Sequence, residues 1–207
     1  MRSTRRIELE KAAPVALGAA IVGYVLPWLM GSGAALSFHA YDLAEWTTLM
    51  PASYAEMPPL LTAFLLRLPL LCMGVTSAVF SLSQRGWARA VFVGIWLALA
   101  AASLPPFEFL SYSDNPNYRQ QAVLAALTLA AGGTIMLPLV RRAVRPEWIG
   151  AAFTAAGTAA VLIGQARGYA LLSEYELDIR WSVGWISCAA GFILCALIHL
   201  SHSRKAG

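Results

Sequence analysis

Residues 59–86 read PLLTAFLLRLPLLCMGVTSAVFSLSQRG, an apolar run that carries one charged side chain, Arg67, and ends in a turn containing Arg85. A transmembrane helix needs about 20 consecutive, mainly apolar residues to cross the hydrocarbon core of a bilayer. The stretch from 59 to 82 meets that length. It therefore predicts a membrane-spanning helix that is followed by a short basic turn.

The same pattern recurs along the chain, and we expect a single transmembrane domain over residues 1–207. It predicts an all-α integral membrane bundle of six transmembrane helices, arranged as three hairpins. The predicted helices cover residues 12–36, 59–82, 87–104, 121–140, 148–172 and 181–201. Pro27 is expected to kink the first helix, because proline removes a backbone hydrogen bond. Pro105, Pro106 and Pro116 are expected to exclude a continuous helix between the third and fourth spans.

The composition separates this chain from soluble proteins. Hydrophobic residues make up 58% of the chain and charged residues 13%, whereas soluble domains average about 45–50% apolar and about 25% charged residues. A net charge of +4 is compatible with nucleic-acid binding. The basic residues lie beside the apolar segments, however, where the positive-inside rule accounts for them. We therefore expect the lipid bilayer as a partner and no nucleic acid.

The charges are distributed unequally between two sets of connections. Eleven of the fifteen Lys and Arg residues lie within residues 1–11, 85–89, 141–145 and 204–205, whereas eight of the eleven acidic residues lie in the other connections. Cytoplasmic connections of membrane proteins are enriched in Lys and Arg. Both termini are therefore predicted to be cytoplasmic. The three longer, extracytoplasmic connections are predicted to be structured and to pack together as an outer cap.

An alternative interpretation of the first segment is a cleaved signal peptide. The segment has a basic start, an apolar run and small residues at 31–35, which are the three parts of such a signal. Its apolar run is longer than the usual ~7–15 residues of a signal peptide, so we favour a retained helix. The other five helices keep their orientation in either case.

Small residues recur at four-residue spacing in three predicted helices. The fifth helix has Ala152, Ala156, Ala160 and Gly164. The first and fourth helices have the sets Ala12, Ala16, Ala20 and Ala122, Ala126, Ala130. Small side chains let helix backbones approach closely in a membrane. The pattern predicts close packing, either within this bundle or against another membrane subunit.

Arg67 is the main candidate functional residue, because it lies eight positions into the predicted second helix, about 12 Å below the outer end. A cation at this depth is costly unless it is paired or reaches the interface. Its candidate ion-pair partners are Asp42, Glu45 and Glu108. Two alternatives stay open: Arg67 binds an anionic ligand in an outward-facing cavity, or its long side chain extends to the membrane surface.

Gln165 and Arg167 lie near the outer end of the predicted fifth helix, at a depth similar to that of Arg67. Together with Asp178 and Arg180 they are candidates for a polar layer under the outer cap. A solvated membrane interface is the preferred explanation of these four side chains, because polar groups concentrate there in most membrane proteins.

The outer connections are rich in aromatic residues, and Trp46, Tyr112 and Trp181 are candidate interface residues. Tyr and Trp concentrate at the headgroup level whatever the function of the protein, so a partner or ligand surface is the second explanation. One helical face of the first outer connection carries small or apolar side chains, at Leu36, Ala40, Leu43 and Thr47. This face predicts a short helix that lies in the membrane interface.

The sequence carries no signature of catalysis or of a bound metal. It lacks the nucleotide-binding, esterase and zinc-protease motifs, and its three histidines are split between the two sides of the predicted bundle. The cysteines Cys72, Cys188 and Cys195 lie in apolar segments, where we expect buried thiols and no disulfide. We expect no catalytic residue, no metal site and no enzyme, and the sequence identifies no cofactor.

From these features we expect a non-catalytic, multi-pass subunit or scaffold of a larger membrane complex, with other membrane protein subunits as partners. The alternative is a small-molecule binding or transport protein, with an outward-facing pocket lined by Arg67 and outer aromatic residues. In size and helix count the chain is similar to the substrate-binding membrane components of energy-coupling-factor vitamin transporters, and this similarity implies a small-molecule ligand. Short basic turns are typical of a bacterial cytoplasmic (inner) membrane protein. Binding of a pigment, a quinone or a lipid stays open.

Overall fold

A computed structural model describes the backbone of residues 2–31, 36–175 and 177–203, and the side chains of these residues except at 2–11, 141–142 and 202–203. Residues 32–35, which belong to the alternative signal-cleavage site, lie outside the described residues, as do Glu176 and the basic tail at 204–205. The basic side chains at 2–11 and 141–142 are outside them too.

Helices make up 78% of the structure, as the sequence predicts. In the described ranges the helices are α1 (Arg2–Val25), α2 (Ala40–Thr48), α3 (Pro51–Tyr54), α4 (Leu61–Ser83), α5 (Gly86–Ala102), α6 (Pro116–Met136), α7 (Pro138–Ala143), α8 (Pro146–Ser173) and α9 (Gly184–Ser203). A 3₁₀ turn covers Phe107–Leu110. The connections also contain three short strands, β1 (Leu29–Gly31), β2 (Ser37–Phe38) and β3 (Ile179–Trp181).

Helix α4 is the centre of the bundle. It packs against α2, α5, α6 and α8, while α9 packs against both α8 and α1. In α4, 83% of the most apolar stretch is buried inside the protein. Because protein surrounds α4 on most sides, a charged side chain on this helix can be paired by neighbouring elements and need not face lipid.

Three of the described helices are long and apolar enough to cross a membrane: Leu61–Ser83, Pro146–Ser173 and Gly184–Ser201. They correspond to the second, fifth and sixth predicted spans. The apolar helices Ala12–Val25 and Gly86–Ala102 are shorter. The structure therefore supports a membrane protein, and it does so through three of the six predicted spans.

The bounds of α4, α5 and α8 lie within two residues of the prediction, but those of the first helix do not. Helix α1 covers Arg2–Val25 instead of residues 12–36, so it begins earlier and ends earlier than predicted. Proline disfavours the helical conformation of the residue before it, so the helix ends ahead of Pro27 and is not kinked there. Strand β1 lies within the rest of the range predicted as the first helix, and β2 follows directly after that range.

The fourth and sixth predicted helices also begin and end elsewhere. Helix α6 begins at Pro116 instead of residue 121, and Pro138 begins the separate helix α7. Proline fits the first turn of a helix, where its missing N–H would have no intrahelical partner. No continuous helix runs from the third to the fourth span, as expected, because α5 ends at Ala102 and α6 begins at Pro116; the predicted start of the fourth helix at residue 121 is wrong. Helix α9 begins at Gly184 instead of residue 181, because Trp181 pairs in β3.

The three strands form one antiparallel sheet in the order β2–β1–β3. Leu29 in β1 is opposite Phe38 in β2 and Trp181 in β3. The sheet was not predicted, because strands of two or three residues are too short to show an alternating pattern. It joins the first and third outer connections at one end of the bundle.

Helix α2 forms where a short helix is predicted, and His39 caps its start, since His39 Nδ1 accepts a hydrogen bond from the backbone N–H of Asp42 at 3.3 Å. Ala40, Leu43 and Thr47 are buried on one face, as predicted, whereas Leu36 lies before the helix and is exposed. This face packs against α4 and α8. Helix α2 is therefore part of the protein core and does not lie freely in the interface.

The small residues of α8 do not form one packing face. Ala160 and Gly164 are buried, but Ala152 and Ala156 are exposed. Four residues turn an α-helix by about 400°, so a row at this spacing drifts by about 40° per step. The buried face instead alternates steps of four and three residues, at Gly150, Thr154, Gly157, Val161, Gly164 and Gly168.

The other two small-residue sets differ from each other. In α1, Ala16 and Ala20 are buried against α9. In α6, Ala126 and Ala130 are exposed. The buried face of α6 contains Gln121, Leu124, Thr128 and Gly132. Close packing within the bundle therefore uses the set in α1 and only part of the predicted set in α8.

Candidate functional site

Arg67 lies on α4 with its side chain only 2% exposed. Its Nη2 donates to Oε1 of Glu45 at 2.7 Å, and its Nη1 donates to Oε1 of Gln120 at 3.0 Å. The ring of Tyr41 lies 6.0 Å from the guanidinium carbon, within the range of a cation–π contact. Arg67 is therefore paired inside the protein and does not extend to the membrane surface.

Glu45 is held by α6 as well as by Arg67. The side-chain amide of Gln121 donates to Glu45 Oε1 at 2.8 Å, and the amide of Asn117 donates to Oε2 at 3.3 Å. Gln120 Nε2 in turn donates to the backbone carbonyl of Leu60 at 3.2 Å. We call Arg67, Glu45, Asn117, Gln120 and Gln121 the Arg67 cluster. The cluster joins α2, α4 and α6 at one end of the bundle, the end that the sequence predicts to be the outer one.

The two charges of the ion pair are buried to different degrees. The side chain of Arg67 is 2% exposed, whereas that of Glu45 is 37% exposed. An ion that cannot reach water is strongly destabilising when its partner is removed. The pair therefore holds α2 against the bundle chiefly because the buried charge of Arg67 would lose its ion-pair partner without Glu45.

The other two acids that we considered as partners of Arg67 lie elsewhere. Asp42 is half-exposed and pairs with His39 Nε2 at 2.9 Å. Glu108 is exposed in the 3₁₀ turn. Of the three candidates, Glu45 is thus the one whose carboxylate contacts Arg67 in the described structure.

Arg167 belongs to a second polar cluster. Its Nη2 donates to Glu56 Oε1 at 2.8 Å and its Nε donates to the hydroxyl of Thr62 at 3.1 Å. That hydroxyl donates to Glu56, and the backbone N–H of Thr62 donates to Glu56 Oε2 at 2.9 Å. We call these three residues the Glu56 cluster. It ties the segment before α4 to α8, because Thr62 lies in the first turn of α4, where backbone N–H groups have no intrahelical partner.

Burial of the Glu56 carboxyl by itself raises its pKa, but the hydrogen bonds from Thr62 and Arg167 act in the opposite direction and prevail. The pKa of Glu56 is therefore lower than its ordinary value. Tyr41 behaves differently: burial, and then the charge of Glu45, raise the pKa of its phenol. Both groups thus keep their usual neutral-pH protonation states, with Glu56 ionised and Tyr41 neutral.

The predicted polar layer does not form around Arg67. Gln165 is buried and donates through Nε2 to the backbone carbonyl of Trp28 at 3.3 Å. Asp178 and Arg180 are exposed. Gln165 and Arg167 therefore hold separate parts of the outer cap, and the residues predicted as one site are distributed over several contacts.

Asn117, Gln120 and Gln121 are residues of the Arg67 cluster that the sequence interpretation missed. We placed residues 117–120 in a connection, because Pro116 was taken to exclude a helix. The pair Asn115–Pro116 carried the missing signal: asparagine is a good helix cap and proline a good first helical residue. A helix starting there places Asn117 and Gln121 four residues apart on one face.

The candidate interface residues are at the surface. Trp46 is exposed and its ring makes an edge-to-face contact with Phe38. Tyr112 is exposed beyond the 3₁₀ turn. Trp181 is exposed between the rings of Tyr169 and Trp185, at 5.5 and 5.3 Å between ring centroids. With Ala152 and Ala156, they form part of the exposed surface of the described structure.

Among the described residues, no group of three His, Cys, Asp or Glu side chains is arranged to hold a metal ion. The free thiols of Cys72, Cys188 and Cys195 are buried in the bundle. The polar groups of the two clusters can therefore hold connecting segments against the helices and accept or donate hydrogen bonds. Comparison with protein-family models, curated proteins and solved structures gives no match to this chain.

Proposed function

We propose that this protein is a non-catalytic subunit or scaffold of a larger membrane complex, with six transmembrane helices and both termini in the cytoplasm of a bacterial cell. The observation that carries the proposal is the pairing of Arg67 with Glu45 and Gln120. Through these contacts Arg67, the deepest cation in the proposed outer half of the bundle, serves as a structural link between helices. The outer cap thereby becomes a fixed surface for a partner.

The six-span arrangement is supported by how the other three proposed spans pack. Helix α1 runs along α9, and α5 and α6 run along α4, so helices that can cross the membrane have the others as direct neighbours. The β1–β3 pairing and the contacts of Glu45 with α6 gather the three outer connections at one end. This is the end that the charge distribution assigns to the extracytoplasmic side.

Helix α5 is, with the apolar part of α1 at Ala12–Val25, one of the two short proposed spans. Its 17 residues correspond to about 25 Å, less than the ~30 Å of the hydrocarbon core. The 3₁₀ turn that follows it exposes Phe107 (94%) and Leu110 (84%), and a spacing of three places them on one face of such a turn. These side chains supply apolar surface where α5 ends.

The surface offered to a partner contains exposed aromatic residues at the outer end and small residues along α8. Trp46, Tyr112 and Trp181 are exposed around the cap, and aromatic residues are enriched in protein interfaces. Ala152 and Ala156 are exposed on α8, where small residues permit close approach of a neighbouring helix. Both features suit another membrane subunit.

Small-molecule binding or transport is the second candidate function. An anionic ligand would have to compete with Glu45 for Arg67, since the two side chains already form a 2.7 Å ion pair. This competition makes Arg67 a poorer ligand group than an unpaired arginine. We therefore place transport behind the subunit function.

Site-specific photo-crosslinking in intact membranes tests the proposal. A photoreactive amino acid replaces Trp46, Tyr112 or Trp181 in separate variants, and exposed Trp87 at the opposite end is the control. We expect one and the same membrane protein to be crosslinked from the outer positions, and to purify with the chain in a fixed ratio. Purification of the chain alone, with no specific crosslink, would contradict the subunit function.

A topology measurement is made in parallel, because the six-span arrangement and the subunit function can fail separately. A reporter that is active only in the cytoplasm is fused to each terminus in turn. We expect both fusions to be active. Termini on opposite sides of the membrane would contradict six spans, whatever the crosslinking shows.

A further inference from the structure

Three polar atoms of the Arg67 cluster are buried without a hydrogen-bonding partner in the described part of the chain. They are the Nε of Arg67, the Oδ1 of Asn117 and the Oε1 of Gln121. All three side chains are more than nine-tenths buried. Buried polar groups in folded proteins nearly always have a partner, so these atoms mark a site.

The three atoms belong to side chains that all hydrogen-bond to the Glu45 carboxylate. In a guanidinium group, Nε–H and one N–H of Nη2 point in the same direction from one edge, and Nη2 of Arg67 points to Glu45. Asn117 and Gln121 are one turn apart on α6, and the amide nitrogen of each donates to the same Glu45 carboxylate. In both side chains the amide nitrogen contacts the Glu45 carboxylate, so the unpaired oxygen of the same amide group lies near that carboxylate and near Arg67.

The chemistry of the site selects its ligand. It offers one donor, from Arg67, and two acceptors, from Asn117 and Gln121, so the ligand must donate two hydrogen bonds and accept one. The charges of Arg67 and Glu45 balance each other. A cationic ligand would be repelled by Arg67 and an anionic ligand by Glu45. A neutral molecule is therefore the class of ligand that fits.

We propose that the Arg67 cluster binds one buried water molecule, which accepts a hydrogen bond from Arg67 Nε–H and donates to Asn117 Oδ1 and Gln121 Oε1. A water molecule has the required two donors and an acceptor, and buried waters typically make about three hydrogen bonds to otherwise unpaired groups. The water adds a second link between α4 and α6, beside the direct bond from Arg67 to Gln120. This inference stands whether or not the protein is a subunit of a complex.

Nuclear magnetic resonance of the ¹⁵N-labelled protein in detergent micelles tests this site. The Nε–H signal of Arg67 is assigned by its loss in Arg67→Lys. A rotating-frame experiment then measures transfer from water to that proton, because dipolar transfer and chemical exchange have opposite signs in it. We expect a dipolar cross-peak between water and Arg67 Nε–H in the parent protein.

Two neighbouring glutamines provide a matched pair of variants. Gln121→Met removes one acceptor of the water and is expected to abolish the cross-peak. Gln120→Met removes the direct bond from Arg67 Nη1 but leaves all three atoms of the proposed site, so the cross-peak is expected to persist.

A visible Nε–H signal without a dipolar water cross-peak in the parent protein would overturn the proposal. So would equal cross-peaks in the Gln121→Met and Gln120→Met variants. If Gln121→Met does not fold, the parent measurement decides by itself, since it depends only on the signal assignment from Arg67→Lys.

Discussion

The unequal burial of Arg67 and Glu45 predicts that the two halves of this ion pair contribute unequally to stability. Glu45→Met leaves the charge of Arg67 at 2% exposure with only Gln120 as a side-chain hydrogen-bonding partner. Removing one partner of a buried ion pair costs about 3–5 kcal/mol. The 37% exposure of Glu45 lets some water approach, so we expect a loss of about 3 kcal/mol, at the low end of that range.

Arg67→Met is expected to cost less. Glu45 would keep its hydrogen bonds from Gln121 and Asn117, and its exposed fraction would be hydrated. We expect a loss of about 1.5–2 kcal/mol, at the low end of the range for a lost hydrogen bond to a charged group. The double variant removes both charges and should lose much less than the sum of the two single variants, because neither charge is left unpaired.

Equilibrium unfolding in mixed micelles of mild detergent and dodecyl sulfate, followed by circular dichroism, measures the three free energies. Asp42→Asn is the matched control on α2, since Asp42 forms a half-exposed pair with His39 and such pairs contribute about 0–1 kcal/mol. Two results would refute the reasoning: a larger loss in Arg67→Met than in Glu45→Met, or additive losses in the double variant.

Further predictions concern the Glu56 cluster and the glycines of the bundle. Because the pKa of Glu56 is lower in the folded protein than its ordinary 4.5, its contribution to stability is complete above that value and disappears as the pH falls through the lower, folded value. The free energy of unfolding, measured as a function of pH, should lose this part of its acid-side slope in the Glu56→Gln variant. An unchanged slope would contradict the pairing of Glu56 with Thr62 and Arg167. Gly157→Ala places a Cβ 2.6 Å from the buried ring of Phe192 and should cost about 1–3 kcal/mol in the same unfolding assay. Gly133→Ala meets nothing within 4 Å and should change stability by no more than a gain of about 1 kcal/mol from helix propensity; equal effects of the two substitutions would show that α8 does not approach α9 as described.

Local signals predicted some elements well. The bounds of α4, α5 and α8 lie within two residues of the prediction, because long apolar runs between basic or polar turns are recognisable without tertiary information. The position of Arg67 within α4 follows from the same run. The predicted face of α2 is buried, since its spacing reflects helical periodicity directly.

Prolines were the main source of error in the helix bounds. Helix α1 ends at Val25, ahead of Pro27, where we expected a kink, and α6 begins at Pro116, where we expected the connection to continue to residue 120. Proline fits the first turn of a helix, whereas in a helix interior it removes a backbone hydrogen bond, as Pro14 does in α1 and Pro69 in α4. Its meaning therefore depends on which side of it the helix lies, and an adjacent cap such as Asn115 decides between the two.

The amino-acid sequence by itself determines that this chain forms long apolar helices and where its charges lie along them, because both are properties of consecutive residues. The tertiary structure decides which residues meet. Glu45 lies 22 positions before Arg67 and 76 before Gln121, and neither separation corresponds to any local period. Which of three acids reaches Arg67, and which face of α8 approaches α9, depends on the rotation and height of each helix against its neighbours, since these are set by side-chain packing over the whole bundle.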